Sequence, residues 1–356
     1  MTVRERFLAA MRRERDDFVP FTFSLCPSQL EEFTRRSGME DYAEYYQFPV
    51  RFVGAPCTAD AERFRARWYG GDPDVMISRD YGFGNKKGTM AHFTSMVYAL
   101  EKVQSVVELD EYPWPDPEKD FDWAALQNRV DQLRGEGVAI AASMEITLFE
   151  ASWYLRGMER FLEDMVVFPE MCEALLERIC VIREEMARRY AKAGCDMLAL
   201  GDDVGTQIGM MFAPSKWEEM LKPRLARVIR AAKEVNPDIL IAYHSDGNIE
   251  RVIPGLIEAG VEILNPIQPE CMDAVALKEQ YGGKLSFWGG VGTQSTMPFG
   301  SAQDVRDVCN RLIEQVGAGG GLFLAPTHVL EPEVPYENIE MFVKTVTEYN
   351  ALSSQR

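Results

Sequence analysis

Residues 239–248 read ILIAYHSDGN, an apolar run that ends on His244 and, two residues later, on Asp246. A short stretch of this kind, rich in branched apolar side chains and closed by a Gly-Asn turn, spells a buried strand. The pattern recurs as VAIAAS at 138–143, CDMLALG at 195–201, VEILNP at 261–266, LSFWGG at 285–290 and GLFLAP at 321–326. Long helical patterns separate these runs, among them PEMCEALLERICVIREEMARRYAKAG, which predicts a helix from about 168 to 193 that stops at Gly194. Another opens near Pro214, and Pro223 should kink or break it. Repeated alternation of strand and helix implies a parallel sheet.

Nearer the amino terminus, VPFTFS at 19–24 reads as a strand and PSQLEEFTRR as the helix after it. Six carboxyl-terminal strands and this one make seven, and an eighth can hide in residues 50–120. That stretch is rich in Gly and Pro, and DYGFGNKKGTMAHF followed by TSMVYALEKV has the form of a hairpin. The fold expected is a TIM (β/α)8 barrel, a single domain over residues 1–356 with 50–120 as an irregular excursion. No GxGxxG follows the first strand, and GAGGG at 317–321 precedes a strand, as a helix-ending turn would.

Composition narrows the function classes. With 46% hydrophobic residues there is material for one large core, and no run approaches the roughly 20 apolar residues of a membrane span. Against 38 Lys and Arg stand 56 Asp and Glu, and the resulting net charge of −18 opposes nucleic acid and anionic membranes as partners. The seven cysteines have no CxxC spacing, and MTVRERFLAAMRRERDD lacks the apolar stretch of a signal peptide, so a reducing cytoplasm is expected.

In barrels of this kind the carboxyl ends of the strands carry the chemistry. His244 and Asp246 share one side of extended chain and can bind one ion together, or the acid can orient the imidazole. The bland alternative makes His244 a core residue and Asp246 the cap of the following helix, unless Asn248 is that cap. His328 follows the last strand, so its loop should stand near the others, and His244, Asp246 and His328 form the candidate metal set. Glu145, Asp202 and Asp203 are the candidate proton-handling or catalytic acids. Adjacent Asp202 and Asp203 should point opposite ways, so that one reaches the site while the other caps or binds backbone. Gln207, Tyr243, Gln268, Trp288 and Gln294 complete a polar rim for a small-molecule substrate. His92 is read as structural.

HSDGNIERVIPGLIEAGVEILNPIQ, followed by KLSFWGGVGTQSTMPFGSAQDVRDVCNRLIEQVGAGGGLFLAPTH, resembles the uroporphyrinogen decarboxylase superfamily from about residue 140 onward. The resemblance implies a TIM barrel and either decarboxylation or zinc-dependent methyl transfer with corrinoid proteins or coenzyme M. In the methyltransferase branch a His-x-Cys pair and a Pro-x-Cys turn hold the metal, and here those positions carry His244, Asp246 and, in Pro326-Thr327-His328, a histidine. Harder ligands thus replace both cysteines. More distant methionine synthase relatives add a Glu after the next strand, where this chain has Gln268 and Glu270. The RQAGRY motif with which the decarboxylases grip a polycarboxylate is missing, and FTFSLCPSQLEEFTRRSG stands there instead.

Three readings follow. The first is a methyltransferase dependent on zinc or another divalent metal, moving a methyl group from a small O-methyl donor to a corrinoid carried by a partner protein. The second is a decarboxylase or lyase acting on a tetrapyrrole or small acid, and the third a non-catalytic corrinoid- or tetrapyrrole-binding protein. Barrels of this type commonly pair, which leaves a homodimer open.

Overall fold

The computed structural model describes residues 1–88 and 94–353, so His92 lies outside the described residues. Seven parallel strands pair in chain order. They are β1 Val50–Val53, β2 Ala139–Glu145, β3 Met197–Gly201, β4 Leu240–His244, β5 Ile263–Ile267, β6 Ser286–Val291 and β7 Leu322–Pro326. Residues 19–24 run parallel to β7 as an eighth stave, with the Thr22 N–H donating to the Leu324 carbonyl at 3.2 Å and the Leu324 N–H to that of Pro20 at 2.9 Å. The curled sheet with its surrounding helices is a (β/α)8 barrel.

Strand alternation explains the two sides of the wall. Ala139 and Ala141, Leu240 and Ala242, and Phe323 and Ala325 face the interior, while Ile140, Ile241, Tyr243 and Leu324 pack outward against helices. Helix Val3–Met11, begun by a Thr2–Glu5 capping box, plugs the amino-terminal end of the barrel with Phe7, Leu8, Ala10 and Met11. Phe7 meets Phe323 edge-on at 5.4 Å, and Trp288 stacks on Phe323 at 4.9 Å and on Phe52 at 5.6 Å. The interior is therefore filled below Trp288 and open above it.

The strand hidden in the irregular stretch is β1, so the excursion leaves the barrel only after Val53. Beyond it an antiparallel sheet of Met76–Ile77, Gly84–Lys87 and Thr94–Val97 packs outside the wall. Between the 19–24 stave and β1 no ladder forms among the described residues. Phe48 fills part of that seam, edge-on to Phe21 at 5.5 Å and to Phe23 at 4.9 Å. The side-chain amide of Asn350, in the last helix Tyr336–Ser353, bonds both the N–H and the carbonyl of Val19 at 2.8 and 2.9 Å.

Helix Pro169–Ala193 ends at Gly194, whose φ of 89° suits the left-handed cap. The helical path from Pro214 contains a π-turn at Trp217–Leu221 before Lys222–Val235, and Pro223 falls in the first turn of the latter. The π-turn rewinds the path just before the proline, a local change of winding that accommodates its missing N–H where a kink or break was expected. Among the described residues no helix is long and apolar enough to cross a membrane.

One buried ion pair ties the end of the excursion to the barrel. Arg156 and Asp164 meet at 2.7 Å with side chains 0% and 2% exposed, and Arg156 also donates to the Leu100 and Val103 carbonyls at 2.6 and 2.7 Å. Removing the guanidinium leaves two carbonyls without their donor and the buried carboxylate with only the more distant Arg160, at 3.5 Å. Arg156→Met should lower the unfolding free energy by about 3–5 kcal/mol in chemical denaturation.

Candidate functional site

Four strand ends share one register row: Glu145 pairs with Gly201, Gly201 with His244, and His244 with Asn265. A Cβ on Gly201 would lie 2.5 Å from the His244 carbonyl oxygen and 2.6 Å from its Cβ, so only glycine lets β3 and β4 close at this height. The loops beyond bring Asp203 and Asp246 alongside His244. Donor atoms of Asp203, His244 and Asp246 all lie within 4.8 Å of one another, a separation at which one ion can bridge them. The His244 Nε2 is 3.5 Å from Asp203 Oδ1, and Asp203 Oδ1 accepts the Asp246 backbone N–H at 2.7 Å.

The tautomer of His244 follows from its neighbour. The Asn265 Nδ2 donates to the Trp288 carbonyl at 3.3 Å, which turns Asn265 Oδ1 toward His244 Nδ1 at 2.7 Å. An amide oxygen only accepts, so Nδ1 carries the proton and a neutral His244 presents the Nε2 lone pair to the two carboxylates. Burial alone would lower the His244 pKa, but the charges of Glu145, Asp203 and Asp246, with the Asn265 bond, outweigh it and raise it. Burial also raises the Asp246 pKa, with Asp203 adding to the rise and His244 and His328 opposing it. Two carboxylates and an imidazole are donors that zinc, iron or manganese accepts.

Asp202 turns the other way. Its carboxylate accepts the N–H groups of Leu148 at 2.9 and 3.0 Å and of Glu150 at 2.9 Å, at the start of helix Phe149–Arg156. Burial pushes its pKa up to about 7 against the pull of those bonds. Just before this helix, Ile146 adopts a φ of 62°, costly for a β-branched residue. Arg183 holds that turn by donating to the Ile146 and Thr147 carbonyls at 2.7 and 3.3 Å.

The remaining expected residues divide between a cleft and its surroundings. Glu145, His244, Asn265, Trp288 and His328 line a cleft of about 770 Å³ that opens from the barrel mouth. His328 is exposed on that wall and is not among the three clustered donors. Tyr243, one residue before His244, must face the helices, and its hydroxyl points at the Asp202 carbonyl at 3.4 Å. Gln268 is buried, its Oε1 accepting the Gly247 N–H at 3.1 Å. Gln207 accepts from Cys271 Sγ at 3.2 Å and, like Gln294, is exposed away from the cleft lining. Asn248 accepts the Glu250 N–H at 3.2 Å just ahead of the short turn Glu250–Val252, whose N-cap position is Ile249, and Asp246 is not its cap.

Glu150 was not singled out from sequence, because a lone acid inside TLFEASWYL matches no motif. It is 8% exposed, receives the Tyr154 hydroxyl at 3.2 Å, and burial together with the charges of Asp202 and Asp203 pushes its pKa up to about 8. The folded chain thus keeps a proton that the unfolded chain has lost between pH 4.5 and about 8, so this group's contribution falls as pH rises. Thermal unfolding should show wild type losing up to about 1.4 kcal/mol per pH unit across that window relative to Glu150→Gln. Asn265→Ala should weaken divalent-cation binding about 10–100-fold in calorimetric titration while the unfolding curve stays cooperative, since the imidazole loses its orienting partner.

Comparison with known proteins bears on the family and the fold. The methylcobamide:CoM methyltransferase MtaA of Methanosarcina barkeri is 25% identical over 181 residues, 50% of this chain and 50% of that protein. A uroporphyrinogen decarboxylase of Nostoc punctiforme is 25% identical over 187 residues, 51% of this chain and 49% of that one. The chain therefore spans about half the length of the curated relatives it matches. A solved methyltransferase from Methanosarcina mazei superposes with a TM-score of 0.71 over 98% of this chain and 99% of its own, at 19% identity, which shows a common fold. The family profile described as Uroporphyrinogen decarboxylase (URO-D) matches residues 97–349, and the chain belongs to that family.

Proposed function

We propose that this chain is a metal-dependent methyltransferase, moving a methyl group from a small O-methyl donor to a corrinoid carried by a partner protein. The observation that carries this reading is the approach of Asp203, His244 and Asp246 to within 4.8 Å of one another beside the cleft. A divalent cation held by these three would supply Lewis acidity at an ether or alcohol oxygen. Oxygen and nitrogen donors suit such an oxygen better than they suit a thiolate. Asn265 fixes the imidazole so that Nε2, and not Nδ1, serves as donor. Glu145 lines the cleft beside His244 and is the side chain available to deliver a proton to the departing oxygen, whereas Asp202 is committed to backbone N–H groups.

Decarboxylation of a tetrapyrrole bearing many carboxylates is less well supported. The cleft offers Arg51 and Arg129 as cations, and Glu40, Asp41 and Glu145 stand in the same lining. Seven free cysteines, five of them buried, accord with work in a reducing cytoplasm.

Elemental analysis of freshly purified protein should find about one divalent metal per chain, and Asp203→Ala and His244→Ala should each lose it while remaining folded. With a corrinoid protein present, an O-methyl donor screen should yield methylated corrinoid, read by its absorbance, and both variants should be inactive. A metal-free wild type whose turnover is indifferent to chelators would replace this reading with the decarboxylase.

A further inference from the structure

Four aromatic rings rise through the barrel as one column. Phe7 meets Phe323 edge-on at 5.4 Å, Phe323 stacks under Trp288 at 4.9 Å with 20° between their planes, and Trp288 stacks under Phe52 at 5.6 Å with 25° between theirs. The first three are buried. Phe52, the last, is 41% exposed, and Trp288 is its one ring partner among the described residues.

This exposure is not that of an outer-surface residue. Strand alternation puts Phe52 on the same side of β1 as Val50, which packs in the interior, and both Phe52 and Trp288 line the cleft. The inner face of β2 changes in the same way, from the buried Ala139 and Ala141 to the exposed Ser143 and Glu145. The packed interior therefore ends in an open ring that faces a cavity of about 770 Å³. Such a face gains offset stacking from another aromatic ring, and a saturated group of equal size gives it none.

The platform also stands close to the donor cluster. Asn265 Nδ2 donates to the Trp288 carbonyl at 3.3 Å and Asn265 Oδ1 meets His244 Nδ1 at 2.7 Å, so β5 links the inward-facing His244 of β4 to Trp288 of β6. Two strand spacings, about 10 Å, separate the backbones of His244 and Trp288. A single ring with one methoxy substituent bridges such a gap.

We propose that the cleft selects an aryl methyl ether, with its ring seated on the open face of Phe52 and its methoxy group toward His244, and that Phe52 determines this specificity. The role of the methoxy end rests on the methyltransferase reading, but the ring platform stands on its own residues. With only Phe52 open, the platform fits one ring and not a broad macrocycle.

Isothermal titration of the intact protein with 4-methoxyphenol and trans-4-methoxycyclohexanol tests this, because the two share an ether, a hydroxyl and a similar size and differ in the π face. The aromatic ether should bind roughly tenfold more tightly. Phe52→Leu, an apolar change at a part-exposed position, should cut that preference to about twofold or less. Phe52→Tyr should retain it, and so should His244→Ala. Equal binding of the two ethers by wild type, including none, or an undiminished preference in Phe52→Leu, would overturn the platform. If 4-methoxyphenol is preferred but none of its methyl group reaches a corrinoid, the methyltransferase reading fails alone; if both ethers bind and donate methyl equally well, the platform fails alone.

Discussion

A single register row governs the site. The parallel ladder sets Glu145, Gly201, His244 and Asn265 side by side, and the Asn265 bond that orients His244 depends on that alignment. A slip of one residue in β4 would turn His244 to the helices and bring Tyr243 inside. Gly201 is the narrow point, since a side chain there would force β3 from β4 just where the imidazole must sit. Above the row the loops add Asp203 and Asp246; below it, Trp288 floors the cleft.

The neighbours Asp202 and Asp203 show how one dipeptide serves two purposes. Asp202 gathers the free N–H groups at the start of helix Phe149–Arg156, so the turn after β2 is tied to the end of β3. Asp203 faces the mouth and joins His244 and Asp246. Glu150, at the start of the same helix, has its pKa pushed up first by burial and then by the charges of Asp202 and Asp203. The strained turn at Ile146 is held by Arg183 from outside the wall.

Much of this was legible in the sequence. Apolar runs ending in polar residues announce parallel strands, and the two-residue spacing of His244 and Asp246 announces a shared direction. The opposite aims of Asp202 and Asp203 follow from extended backbone. Which of them reaches His244 does not, because that depends on the turn after Gly201. His328 falls on the cleft wall beside the cluster rather than within it, since Pro326 ends the last strand and a loop, not a ladder, decides where His328 points. The ring platform was invisible for a similar reason: Phe52 and Trp288 are far apart in the sequence, and only the closed barrel stacks them.

The stitching of Val19 to Asn350 has a kinetic side. The first stave finds its ladder partner in Leu324 and its amide clamp 331 residues away, so the chain must be synthesised through residue 350 before this closure can form. Contacts this remote in sequence carry a large loop-closure entropy and slow the approach to the native state. Until then the nascent chain exposes Val19, Phe21 and Phe23 beside an unfinished sheet, a surface that chaperones recognise and that invites aggregation at high expression.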